Sequence, residues 1–110
     1  MLPEALRESA VAQAIEGLDG SIIITGSIEL NELALEVRPE SIVRVCEFLQ
    51  RELRFERLSG LTGVDWYPAE PRFQVVYLLH SIARNERVRL LVRLAGEAPE
   101  VDAVTGVWRA

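Results

Sequence analysis

Cysteine and histidine are almost absent from this chain: 110 residues hold a single cysteine, Cys46, and a single histidine, His80. One thiol cannot close an internal disulfide, which points to a reducing compartment. One imidazole with no Cys or second His at ligand spacing offers no metal site, so His80 reads as a structural or surface histidine. Phosphate-cradling and nucleophile motifs are missing too. Gly60-Leu61-Thr62-Gly63 lacks the Lys and Ser/Thr of a phosphate loop, and Gly26-Ser27-Ile28-Glu29 lacks the glycines of a nucleophile elbow. Both are expected to be turns or bulges. The longest apolar run, Val75 to Leu79, is far shorter than the ~20 residues that span a bilayer. The start, from Met1 to Glu8, is acidic where a secretory signal has a basic lead and an apolar stretch, which suggests a cytoplasmic protein. Internal repeats, low-complexity tracts and linkers are also lacking.

What is present is an ordinary globular composition, 49% hydrophobic and 26% charged, which argues against disorder. The length suits one domain over residues 1–110, with a single core. A net charge of −5 disfavours a dedicated nucleic-acid binder, because a phosphate backbone selects basic surfaces.

Periodicity predicts two helices and five strands in the order α-β-β-α-β-β-β. Pro3 to Leu18 reads as a helix with a loose stripe of Leu6, Val11, Ala14, Ile15 and Leu18, ended by Asp19-Gly20. Ser21 to Thr25 and Leu33 to Val37 are expected to pair as a hairpin across a loop containing Gly26 and Asn31. Pro39 to Leu53 is the clearest helix, with Ile42, Val45, Cys46, Leu49 and Leu53 on one face and Arg44, Glu47, Arg51 and Glu52 on the other. A third strand from Arg57 to Trp66 has its period broken near Ser59-Gly60, as at a bulge. A fourth, Arg72 to Ile82, is apolar on both faces over its middle and should be central. A fifth, Arg87 to Leu94, divides into a core side of Val88, Leu90, Val92 and Leu94 and an outer side of Arg87, Arg89, Leu91 and Arg93. The expected fold is an α+β two-layer sandwich: a mixed five-stranded sheet with both helices on one face, the second strand reaching the third by a right-handed crossover.

Few residues are candidates for chemistry. Asp65 near Thr62 could act as a base, but a carboxylate before a Pro turn more often holds the turn through backbone amides. Cys46 lies on an apolar stripe, where a thiol behaves as a small hydrophobe. No catalytic, cofactor-binding or metal residue is therefore assigned. The feature that stands out is a row of arginines, Arg84, Arg87, Arg89 and Arg93, on one hairpin of an acidic chain. It is either a solvated sheet face or a docking surface for carboxylates, which suit the arginine fork. Trp108 joins it as an interface candidate, because the chain stops two residues after an apolar element that a natural domain would keep covered. The expectation is a longer natural chain.

Several motifs carry a family resemblance: Leu61-Thr62-x-Val64-Asp65, Arg72-Phe73-x-Val75-Val76-Tyr77, Leu79, Ser81, Asn85, Arg87-x-Arg89-Leu90-x-Val92, Pro99 and Val104-Thr105-x-x-Trp108-x-Ala110. In order and spacing they resemble the 30 kDa subunit of respiratory complex I. Related subunits of chloroplast-type and F420H2-type dehydrogenases and of membrane-bound hydrogenases share them. The family's Glu-Arg-Glu segment would begin a few residues after Ala110. The resemblance implies a non-catalytic assembly subunit in the hydrophilic arm of a proton-translocating NADH:quinone oxidoreductase. Such a subunit lies beside the 49 kDa subunit on the cytoplasmic side of the inner (plasma) membrane. NAD, FMN, iron-sulfur clusters and quinone would belong to other subunits, with none in this chain. Two other readings stay open on the residues alone: a stand-alone α+β module that binds a small ligand or dimerises through its sheet, and a small hydrolase using Asp65 and His80.

Overall fold

A computed structural model describes residues 4–29, 32–66, 68, 73–83 and 85–94. Five strands form one mixed sheet in the order β1-β2-β5-β4-β3. Strands β1 (Ile23–Glu29) and β2 (Glu32–Val37) pair antiparallel. So do β3 (Arg57–Asp65), β4 (Phe73–Ser81) and β5 (Glu86–Leu94), which make the expected meander. The two blocks join where β5 runs parallel to β2, with Leu35 opposite Leu90. Strand β3 is therefore parallel to β2, and the link between them through helix α2 (Ile42–Glu52) crosses over two intervening strands. β4 has neighbours on both sides, but the middle place belongs to β5, contrary to the sequence reading. The reason lies in matched faces: Leu33, Leu35 and Val37 of β2 and Val88, Leu90 and Val92 of β5 are all buried at alternate positions, so joining them makes one continuous apolar surface.

Both helices cover that surface. Ile42, Val45, Cys46 and Leu49 of α2 are fully buried, with Leu53 packed at the margin. Val11, Ala12 and Ile15 of α1 (Ala10–Leu18) complete the layer. Burial on one helix face and one sheet face is the stable solution for amphipathic elements of this length.

The N-terminal region differs from the single helix expected. A 3-10 turn over Glu4–Leu6 is followed by α1, because the Ser9 side chain accepts a hydrogen bond from Ala12 N–H at 3.1 Å and caps a new start. Residues 1–3 lie outside the described set. The first strand also begins later and runs further than read: Gly26 and Ser27 sit inside β1 opposite Leu35 and Ala34, with a bulge between Ile23 and Thr25. Asn31, expected in the loop, lies outside the described residues. The glycine misled because small residues usually mark turns, whereas here Gly26 permits a close approach. A Cβ at this position would lie 2.5 Å from Ala34 O and 3.1 Å from the buried Leu6 Cδ1. Gly26→Ala is therefore expected to lower stability by about 1–3 kcal/mol through overpacking. Gly63→Ala has open space around its Cβ and is expected to stay within about 0.5 kcal/mol. Equal urea midpoints for the two variants would refute the close-approach role.

Helix α2 ends through a left-handed residue. Arg54 has φ 60°, which turns the chain back so that Phe55 N–H donates to Leu49 O at 3.0 Å. The Phe55 ring is fully buried. The bulge read near Ser59-Gly60 is present, as a register shift between Leu58 and Gly60. Gly60-Leu61-Thr62-Gly63 therefore lies within β3 and is not a turn. The β4–β5 turn closes with Asn85 N–H donating to Ile82 O at 3.2 Å, Asn85 taking φ 52°, a region Asn tolerates better than most residues.

Candidate interaction surface

The sheet face opposite the helices carries no helix or strand among the described residues. Register sets its contents. Thr25, Ser27 and Glu29 of β1 lie there, with Glu32, Ala34 and Glu36 of β2. Next come Arg87, Arg89, Leu91 and Arg93 of β5, then Gln74, Val76, Leu78 and His80 of β4, and Arg57, Thr62 and Val64 of β3. Val64, Val76, Leu78 and Leu91 are half-buried by their neighbours and form an apolar middle with charged flanks.

The arginines read from the sequence are thus on one face. Arg89 Nη2 lies 3.4 Å from Glu32 Oε1, and Arg93 Nε lies 3.5 Å from Glu36 Oε1. Glu32 and Glu36, four residues apart on β2, both point outward because of the strand's two-residue alternation. The row is therefore a charge ladder between parallel strands, part of which neutralises itself. Exposed pairs of this kind contribute about 0–1 kcal/mol each. Sequence reasoning missed the glutamates, since nothing local announces that β2 lies beside β5. It also missed Arg57, which register places directly across from His80. Arg84 and Trp108 lie outside the described residues.

The other candidates do not converge. His80 pairs with Arg57 near the start of β3, whereas Asp65 pairs with Phe73 at its end. Eight residues of strand separate the two positions by roughly 27 Å. A hydrolase built on Asp65 and His80 is thereby overturned. The turn that Asp65 was expected to hold involves residues 67 and 69–72, outside the described set. Burial pushes the Cys46 thiol up to about 12, so it stays protonated and inert as a nucleophile. Burial likewise pushes the Tyr77 hydroxyl up to about 12. Among the described residues no group of three His, Cys, Asp or Glu side chains could hold a metal ion. Nor is any helix among them long and apolar enough to cross a membrane.

Comparison with known proteins agrees with the motifs. The family model described as "Respiratory-chain NADH dehydrogenase, 30 Kd subunit" matches residues 35–110, well over half of the chain. The match takes in the second half of β2, α2 and the whole meander. Among curated relatives, a C-type subunit of the NADH-quinone oxidoreductase of Rhizobium meliloti (strain 1021) is 51% identical over 78 residues, covering 69% of this chain and 42% of that protein. Its counterpart in the NADH-quinone oxidoreductase of Roseiflexus sp. (strain RS-1) is 46% identical over 88 residues, 77% of this chain and 51% of that protein. The counterpart in Geotalea uraniireducens (strain Rf4) is 40% identical over 77 residues, 70% and 47% respectively. The chain spans about half the length of these curated relatives or somewhat less. With its motifs, its sheet and the family match in agreement, the chain belongs to the 30 kDa subunit family of the respiratory-chain NADH dehydrogenase.

Proposed function

We propose that the chain is the sheet-bearing part of a non-catalytic assembly subunit in the hydrophilic arm of a proton-translocating NADH:quinone oxidoreductase. It is held on the cytoplasmic side of the inner membrane by neighbouring subunits, the 49 kDa subunit foremost. The observation that carries this reading is the family match over residues 35–110. The sheet supports it: one face is fully used by the helices, while the other presents an apolar middle between charged flanks, the composition of a protein–protein contact. Redox cofactors belong to other subunits on this reading, and Arg87, Arg89 and Arg93 set orientation and encounter rate more than bulk affinity.

The test is purification of the full-length protein from membranes. It is expected to bring down other subunits of the complex, and the isolated chain is expected to show no flavin or iron-sulfur absorption and no NADH oxidation. Reversing Arg89 and Arg93 to Glu should cut co-purification while lowering stability by about 1 kcal/mol or less per site. A full-length protein that purifies without companions, or that absorbs in the visible with a bound cofactor, defeats the reading.

A further inference from the structure

We propose that a second basic row, Arg57, His80 and Arg87, lies at the centre of the contact and takes a carboxylate-bearing segment of a neighbouring subunit. The inference rests on the assembly reading above and sharpens it. The row runs across the strands, not along one. Arg57 of β3 is directly opposite His80 of β4, which is directly opposite Arg87 of β5. Strands about 4.8 Å apart place the two guanidinium-bearing positions roughly 10 Å from each other, with the imidazole between them. These residues line a groove of about 450 Å³ together with Ser59, Leu78, Arg89 and Glu32.

Three cations and an imidazole against one carboxylate make this groove basic in a chain whose net charge is −5. Glu32 is taken by Arg89 at 3.4 Å. Glu56, the other acid near His80, accepts Ile82 N–H at 2.6 Å, and backbone hydrogen bonds hold its carboxyl below the usual range. No ion pair with Arg57 or Arg87 forms among the described residues. Cations at adjacent cross-strand positions repel in the free sheet, and an incoming anion removes that repulsion.

The chemistry of the row selects the partner. Each of the 12 basic residues of this chain is an arginine, whose planar fork accepts a carboxylate through two parallel hydrogen bonds. A nucleic acid or an anionic bilayer extends across the whole face, and there it meets Glu29, Glu32 and Glu36. A short acidic protein segment needs only the groove. It can also cover Val76, Leu78 and Leu91 alongside, apolar surface that a phosphate backbone leaves unused.

The experiment neutralises the row in the full-length subunit and measures retention of its neighbours in the purified complex. Arg57→Gln with Arg87→Gln is expected to weaken association roughly tenfold or more, with most of the loss appearing as salt is raised. Arg51→Gln on α2 and Arg93→Gln at the far end of β5 should stay within about twofold. Arginine modification by phenylglyoxal provides a readout that needs no substitution: in the complex Arg57 and Arg87 should be shielded relative to the free subunit, while Arg51 reacts equally in both. Unchanged retention by a folded double variant overturns the proposal, and so does equal reactivity of Arg57 and Arg87 in the two states. If instead the double substitution abolishes binding to phosphatidylglycerol vesicles or duplex DNA and leaves subunit retention intact, the row serves lipid or nucleic acid and the proposal fails. Should the unsubstituted protein retain none of its neighbours in the complex, the assembly reading itself falls.

Discussion

Phe55→Ala is expected to destabilise the chain by about 3–5 kcal/mol, a large part of the 5–15 kcal/mol typical of a whole domain. The ring is fully buried, and three features put it there: the end of α2, the left-handed Arg54, and the 3.0 Å hydrogen bond from Phe55 N–H to Leu49 O. Removing the ring leaves a cavity at the junction of helix and sheet that the hydrogen-bonded backbone cannot collapse to fill. Urea unfolding should show a lower midpoint with an unchanged slope, the sign of lost stability without a change in the surface exposed. A loss under about 1 kcal/mol would mean that the pocket closes over the gap and that the ring is peripheral to the core.

Leu49→Ala should cost about 2–5 kcal/mol, because Leu49 is fully buried in the stripe that α2 lays on the sheet. Arg51→Ala should stay within about 0.5 kcal/mol, since the Arg51 side chain is 70% exposed and its i,i+4 pair with Glu47 is a loose 3.8 Å contact. Comparable losses for the two would show that the helix face has been assigned wrongly. Leu49 and Phe55 share a hydrogen bond and a core cluster, so combining Leu49→Ala with Phe55→Ala should give less than the summed loss.

The helix α2 was legible because its stripe repeats over three turns and every member meets the same layer. The strands were legible where alternation was clean, as in β5, and where a glycine broke the period, as at Ser59-Gly60. Phe55 was not, because its burial depends on Arg54 adopting a backbone conformation that arginine seldom takes. Gly26 was read as a turn because the residue it spares, Leu6, is twenty positions away in sequence. The candidate surface was half legible. Alternation along β5 placed its arginines together, but Glu32, Glu36 and Arg57 join them only through strand order, a long-range property that no local window contains. His80 looked isolated for the same reason: its neighbours Arg57 and Arg87 stand on other strands.

The position of β5 has a consequence for synthesis on the ribosome. The last strand in chain order among the described residues fills the middle of the sheet, between β2 and β4. Until it emerges, the β1–β2 hairpin and the β3–β4 hairpin are two separate ribbons, each with an open edge and an apolar face that only β5 can join. A nascent chain paused before Glu86 therefore exposes edges that invite wrong pairing. Closure then waits on a contact between segments about fifty residues apart, as Leu35 and Leu90 are, which slows folding relative to a sheet built from neighbours alone. Codons or chaperones that hurry the ribosome through β5, or shield the nascent chain before it, act on the step that commits this fold.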